Sequence, residues 1–151
     1  MSILVTYFSA QGTTAKVARD LAERLGADIY EITPEKPYTA ADIRFVNPFA
    51  RCNREKFSGL NAAVSGTVEN FADYDTVCIG FPIWYGCAPK IVDVFCDGYD
   101  WSGKKVFLFA TSGGGAFGKT AEKLSPHLKG AEIISGVRVK SGEEAFAEFN
   151  K

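Results

Sequence analysis

Three short stretches of this 151-residue chain carry the side chains that could do chemistry. The first, Ser9-Ala10-Gln11-Gly12-Thr13-Thr14, gathers three hydroxyls and a glycine into one turn. It lies between an apolar, β-branched run, Ile3 to Phe8, and a stretch where Val17, Ala18, Leu21, Ala22 and Leu25 recur at helical spacing. A turn from strand into helix directs the helix's free N–H groups and positive dipole end into the loop, where they attract an anion. Ser9, Thr13 and Thr14 add hydroxyl donors, and Gly12 lets the backbone approach without a Cβ. A phosphate monoester fits such a loop best. The Gly-Lys-Ser/Thr ending of an ATPase loop is missing, and so are the three spaced glycines of a dinucleotide fold. The pattern therefore favours a mononucleotide held without magnesium, although the same residue types also cap helices that bind nothing.

The second stretch reads Gly80-Phe81-Pro82-Ile83-Trp84-Tyr85-Gly86-Cys87-Ala88-Pro89 and follows a third apolar run, Thr76 to Gly80. Two adjacent aromatics framed by Pro and Gly suit a flat heterocycle. Trp84 or Tyr85 can stack on it, and Tyr85 keeps a hydroxyl in water. Pro89 suits the first position of a following helix. The third stretch, Thr111-Ser112-Gly113-Gly114-Gly115-Ala116-Phe117-Gly118, spends conformational entropy on three successive glycines. That expense makes sense where bare backbone must lie along a ligand edge. The alternatives are a hydrophobic loop packed on its own core and a plain flexible connection.

These stretches need elements to hold them. Strand patterns recur at Ile3–Phe8, Asp28–Thr33, Thr76–Gly80, Lys105–Ala110 and Glu132–Val139, and helical patterns fall at Thr13–Leu25, Pro89–Gly98, Gly118–Leu128 and Glu143–Phe149. The alternation predicts an α/β fold, a doubly wound parallel sheet with helices on both faces and right-handed crossovers. The first, third and fourth strand runs are almost continuously apolar, as strands covered on both faces must be. All three loops then gather at the carboxyl ends of the strands, where such sheets bind ligands. Between residues 28 and 74 the pattern is weaker: a stiff Pro34-to-Tyr38 turn, a helix start capped by Thr39, a break at Asn47-Pro48, a short helix over Ala50–Phe57, and an irregular loop from Gly59 to Val68.

Size, 46% hydrophobic and 23% charged residues predict one globular domain, residues 1–151. The net charge of −1 speaks against nucleic acid or an acidic membrane surface as partner. Met1-Ser2 runs straight into the first strand, so neither a signal peptide nor a membrane span is expected, and the cytoplasm is the expected location. The four cysteines form no CxxC pair and no metal-ligand pattern; Cys78 and Cys96 fall in a strand and a helix as small hydrophobes. His127, in Ser-Pro-His-Leu, reads as a surface residue rather than a base.

A phosphate cradle, an aromatic wall and a backbone-lined edge together match FMN. On these residues the chain resembles the flavodoxins, through Tyr7-Phe8-Ser9 to Thr14, the Pro34-to-Tyr38 turn, Gly80 to Gly86 and Ala110 to Gly114, nearly its whole length. The resemblance implies five parallel strands in the order 2-1-3-4-5, with FMN where strands 1 and 3 diverge, an arrangement for which flavodoxin is itself a standard illustration. It implies that Ser9, Gln11, Gly12, Thr13 and Thr14, with the Ala15 amide, hold the phosphate. Pro82, Ile83, Trp84, Tyr85 and Gly86 would line the isoalloxazine, and Thr111, Ser112, Gly113 and Gly114 would border its pyrimidine edge through backbone groups. It also implies a peptide beside Gly86 that turns towards the ring once one electron has arrived, shifting the potential.

Two departures bear on role. Gln11 stands where the family usually shows threonine, exchanging a hydroxyl for an amide that still donates. The near-neutral chain also differs from strongly acidic carriers. A carboxylate about 8 Å from the flavin, at an effective dielectric of about 20, costs an added negative charge about 2 kcal/mol. That is roughly 90 mV for one electron. Fewer carboxylates imply a less negative final potential and weaker steering towards basic partners.

The expected function is a small one-electron carrier between larger redox proteins, its donor and acceptor unidentified, in a monomer or weak homodimer. The alternative is an FMN-dependent NAD(P)H, quinone or nitro-compound oxidoreductase of the same fold. No His, Asp or Glu in the three loops offers acid–base catalysis, and no catalytic residue is assigned. A phosphate-sensing module without redox work would leave Trp84 and Tyr85 unexplained. Arg51-Cys52-Asn53-Arg54-Glu55 resembles a stretch of related proteins, or is a plain surface helix.

Overall fold

The computed structural model describes residues 2–9, 12–34, 64–83, 90–111 and 120–150. A five-stranded parallel sheet runs through its centre, built from β1 (Ile3–Tyr7), β2 (Asp28–Glu31), β5 (Thr76–Pro82), β6 (Lys105–Thr111) and β7 (Glu132–Arg138) in the order β2-β1-β5-β6-β7. Once two short strands outside the sheet are set aside, this is the expected order 2-1-3-4-5. Those two, β3 (Thr33–Pro34) and β4 (Val64–Ser65), pair antiparallel, Thr33 with Ser65 and Pro34 with Val64. The chain therefore leaves the main sheet earlier than its sequence suggests. The Ile32 N–H closes the ladder on the Tyr7 carbonyl at 2.6 Å. Beyond it Thr33 joins the small ladder rather than extending β2, and Val64–Ser65 is strand where an irregular loop was expected.

Strict alternation divides the core between the two faces. In β5, Val77, Ile79 and Phe81 point to one face while Cys78 points to the other. In β6, Val106, Leu108 and Ala110 are set against Phe107 and Phe109. The first face packs under α2 (Lys90–Asp97) and the neighbouring Leu124 and Leu128, and the second under α1 (Thr13–Leu25) and α4 (Gly142–Phe149). Both faces are covered, so the central strands can be apolar throughout. Gly80 is required by packing: a Cβ there would overlap the Phe109 ring, which lies across β5 and is fully buried.

Several element ends differ from the sequence pattern. β5 continues two residues past Gly80 because Phe81 and Pro82 still pair with Ala110 and Thr111. The helix expected over Gly118–Leu128 is helical from Thr120 to Leu124 in α3 and then tightens into a 3₁₀ turn, Ser125–His127, with Pro126 at its start. α2 spans Lys90–Asp97, with Gly98 just beyond. α4 starts one residue early, at Gly142, where the Ser141 hydroxyl accepts the Glu144 N–H at 3.1 Å as an N-cap. The expected helix over 50–57, the Thr39 cap, the Asn47-Pro48 break, and Cys52 and Cys87 lie outside the described residues. Among the described residues, no helix is long and apolar enough to cross a membrane.

Candidate functional site

The sheet's wiring determines which loops meet. β1 is flanked by β2 and β5, so the chain runs outward from it in opposite directions, and the carboxyl ends of β1 and β5 form the switch point at which sheets of this kind bind ligands. Backbone hydrogen bonds carry the ladder past the last strand residues. The Phe8 N–H donates to the Gly80 carbonyl at 3.0 Å, and the Ile83 N–H to the Thr111 carbonyl at 3.0 Å. Ser9, Ile83 and Thr111, from which the three loops lead off, thus share one rim.

The first loop turns into α1 through Gly12, whose φ of +91° lies in the left-handed region that a β-carbon disfavours. Its N–H donates to the Ser9 hydroxyl oxygen at 3.0 Å, leaving the Ser9 O–H free to donate elsewhere. The first intrahelical bond runs from the Lys16 N–H to the Gly12 carbonyl at 3.2 Å. The N–H groups of Thr13, Thr14 and Ala15 precede it and have no intrahelical acceptor. Gly12 and Thr13 are exposed, whereas Thr14 and Ala15 are buried. With thirteen residues behind it, α1 presents a full helix dipole at this end.

Thr14 does more than face the loop. Its hydroxyl oxygen lies 2.7 Å from that of Thr111, the last residue of β6, and the two residues are 1% and 3% exposed. This contact joins the first loop to the third across the site. Sequence reasoning assigned Thr111 only a backbone role at the ligand edge. Nothing in the spacing of Thr14 and Thr111, 97 residues apart, signals that their side chains meet.

Of the expected site residues, Ser9, Gly12, Thr13, Thr14, Ala15, Pro82, Ile83 and Thr111 are brought to this single rim, Pro82 at the end of β5 beside Thr111. Gln11, Trp84, Tyr85, Gly86, Ser112, Gly113 and Gly114 lie outside the described residues. No cluster of three or more His, Cys, Asp or Glu side chains among the described residues is placed to hold a metal ion. Cys78 and Cys96 are buried in the core, and burial raises both thiols well above their ordinary range, for Cys96 with help from Asp93 and Asp97. They stay protonated and away from the rim. His127 is held elsewhere, with Nδ1 2.7 Å from an Asp97 carboxylate oxygen.

Comparison with known proteins accords with this arrangement. A family model described as "Flavodoxin" matches residues 2–148. No curated protein matches the chain. Among solved structures, a protein of Bacteroides eggerthii is 37% identical with a TM-score of 0.87, and covers 99% of this chain and 96% of its own. One of Bacteroides uniformis is 36% identical with a TM-score of 0.90, covering 99% and 98%. Both are named as inferred flavoproteins. A flavoprotein of Lactobacillus acidophilus, solved in complex with FMN, shares the fold at 17% identity, with a TM-score of 0.74 and 99% coverage of both chains. With its sheet order, its rim of three loops and a family match from end to end, this chain belongs to the flavodoxin family.

Proposed function

We propose that this chain is an FMN protein that passes single electrons between larger redox proteins. FMN is the cofactor that the family match supports, and the donor set fits its phosphate monoester. A helix N-terminus reached through a left-handed glycine, the Ser9 hydroxyl and the hydroxyls of Thr13 and Thr14 supply neutral donors suited to a dianion. Pro82 and Ile83 lie on the rim, and Trp84, Tyr85 and Gly86, next in sequence, would line the ring. Ser112, Gly113 and Gly114, which follow Thr111 in sequence, would border the pyrimidine edge through their backbone. Bound FMN supplies one- and two-electron chemistry; the chain contributes binding, orientation and the electrostatics that tune it.

The observation that carries the carrier reading is the make-up of the rim. Ser9 to Thr14, Gly80 to Gly86 and Thr111 to Gly114 contain no His, Asp, Glu, Lys or Arg. A two-electron enzyme acting on a quinone or a nitro compound must deliver protons as well as electrons, and such a rim offers no carboxyl or imidazole to do so. A carrier needs only a held ring and an accessible edge.

Stepwise anaerobic reduction of the FMN-loaded protein, followed by visible absorption, tests the proposal. A long-wavelength band that rises and then fades as electrons are added supports one-electron transfer. Direct bleaching from yellow to colourless supports the oxidoreductase, and rapid bleaching by NAD(P)H with reoxidation by a quinone would establish it. Loss of the yellow colour when free FMN is removed would defeat the cofactor assignment.

A further inference from the structure

The two hydroxyls that meet behind the phosphate loop are an uncommon device. Thr14 Oγ1 and Thr111 Oγ1 are 2.7 Å apart in a nearly water-free position. Only one of the two protons can lie along that contact, and the other hydroxyl must donate elsewhere. Either direction satisfies the pair by itself. An anion at the N-terminus of α1 removes the choice. If Thr14 turns its proton towards the anion, its oxygen must accept, and the Thr111 hydroxyl must be the donor. Hydrogen bonds aligned in this way polarise one another, so the Thr14 donor becomes stronger than an isolated hydroxyl.

Building on the FMN reading, we propose that Thr111 is a positioning residue for phosphate recognition. Its hydroxyl donates to Thr14 and so directs the Thr14 proton at the phosphate. Thr111 is well placed for this. As the last residue of β6 it still pairs with Pro82 of β5, and its carbonyl accepts the Ile83 N–H at 3.0 Å. One residue thereby fixes the orientation of the phosphate donor and anchors the start of the loop after β5. The pair favours the phosphorylated flavin over the unphosphorylated one, because only a ligand with an anion at this end draws on it.

The test compares FMN with riboflavin, titrated into the full-length apoprotein and followed by flavin fluorescence. Thr111→Val removes the hydroxyl while keeping the branched shape that suits a strand. Thr111→Ser retains the hydroxyl. The expected result is that valine lowers the preference for FMN over riboflavin by about tenfold. Riboflavin affinity itself should stay within about twofold, and serine should restore most of the preference. Equal weakening of both ligands would make Thr111 a purely structural support and overturn the proposal. An unchanged preference, or failure of serine to restore it, would overturn it as well. Should valine prevent folding, Thr111→Ala reads the same ratio, since two affinities of one folded protein divide out the fraction that folds. Wild-type protein that binds no FMN would defeat the functional reading as a whole. FMN binding with an unaltered ratio would defeat only the role of the hydroxyl pair.

Discussion

The two ends of the sheet treat their polar groups in opposite ways. At the amino-terminal end of the strands, polar atoms are committed to internal partners. The Lys104 ammonium donates to the carbonyls of Phe71 and Tyr74 and lies 4.8 Å from the Phe71 ring centroid. Trp101 Nε1 donates to the Cys96 carbonyl at 2.8 Å, the Tyr99 hydroxyl accepts the Val68 N–H at 2.8 Å, and the Tyr74 hydroxyl donates to Asp28 at 2.6 Å. Aromatic rings fill the space between, Phe71 against Tyr99 at 4.4 Å and edge-on to Trp101 at 4.8 Å. At the carboxyl end, the hydrogen bonds among the described residues do not use up every donor: the Ser9 O–H, the N–H groups of Thr13 to Ala15, and one proton of the Thr14–Thr111 pair. A closed network gives rigidity, whereas an open one leaves hydrogen-bonding capacity for a ligand. The contrast agrees with the binding end proposed from the loops.

Substitutions at the two ends should therefore separate stability from affinity. The largest effect is expected from Trp101→Ala, which empties a fully buried aromatic site and should cost about 4 kcal/mol in urea unfolding. The FMN affinity of the folded fraction should stay within about twofold of wild type. Lys104→Met comes next. It strips two buried carbonyls of their donor and should cost about 2 to 3 kcal/mol of stability, again with little change in FMN binding. A large loss of FMN affinity in either variant would break the division between the ends.

Thr14→Ala should reverse the pattern. It should weaken FMN by about 1–2 kcal/mol in a binding titration through loss of a donor to a charged group. An unchanged dissociation constant would mean that Thr14 does not touch the phosphate.

The smallest effect concerns the interior that both ends share. Burial raises the thiols of Cys78 and Cys96 above the ordinary value of 9.0. The folded state therefore keeps protons that the unfolded chain releases, and the stability they contribute is full below that value and falls progressively as pH rises from it towards the raised folded values. Unfolding free energy should drop by about 0.7 kcal/mol between about pH 8 and 9 from these two groups, and Cys78→Ala with Cys96→Ala should remove that slope.

What the sequence revealed follows from the range of the interactions involved. The runs at Ile3–Phe8 and Lys105–Ala110 are legible because a strand buried on both faces must be apolar at every position. The first loop is legible because α1 starts where hydroxyls and a glycine meet a helical pattern. The β3–β4 ladder is not. Two-residue strands have no period to detect, and their partners, Thr33 and Ser65, are joined by a stretch without strong pattern. Lys104 gives no sign of burial, because a lysine's burial is decided by the carbonyls around it and not by its neighbours in sequence. The Thr14–Thr111 contact is invisible for the same reason: a threonine at a strand end is unremarkable until the fold brings another hydroxyl to it.

The position of β1 also has a consequence in time. Ile3 pairs with Thr76, and Thr14 waits for Thr111, 97 residues further along. At the usual pace of synthesis that separation is about 5 to 20 s. During those seconds β1, the helix behind it and β2 are already made, whereas β6, which carries Thr111, is still to come. The Thr14–Thr111 hydroxyl pair is thus among the later contacts the nascent chain can make, and any ligand that draws on it must wait until the fourth sheet strand has emerged.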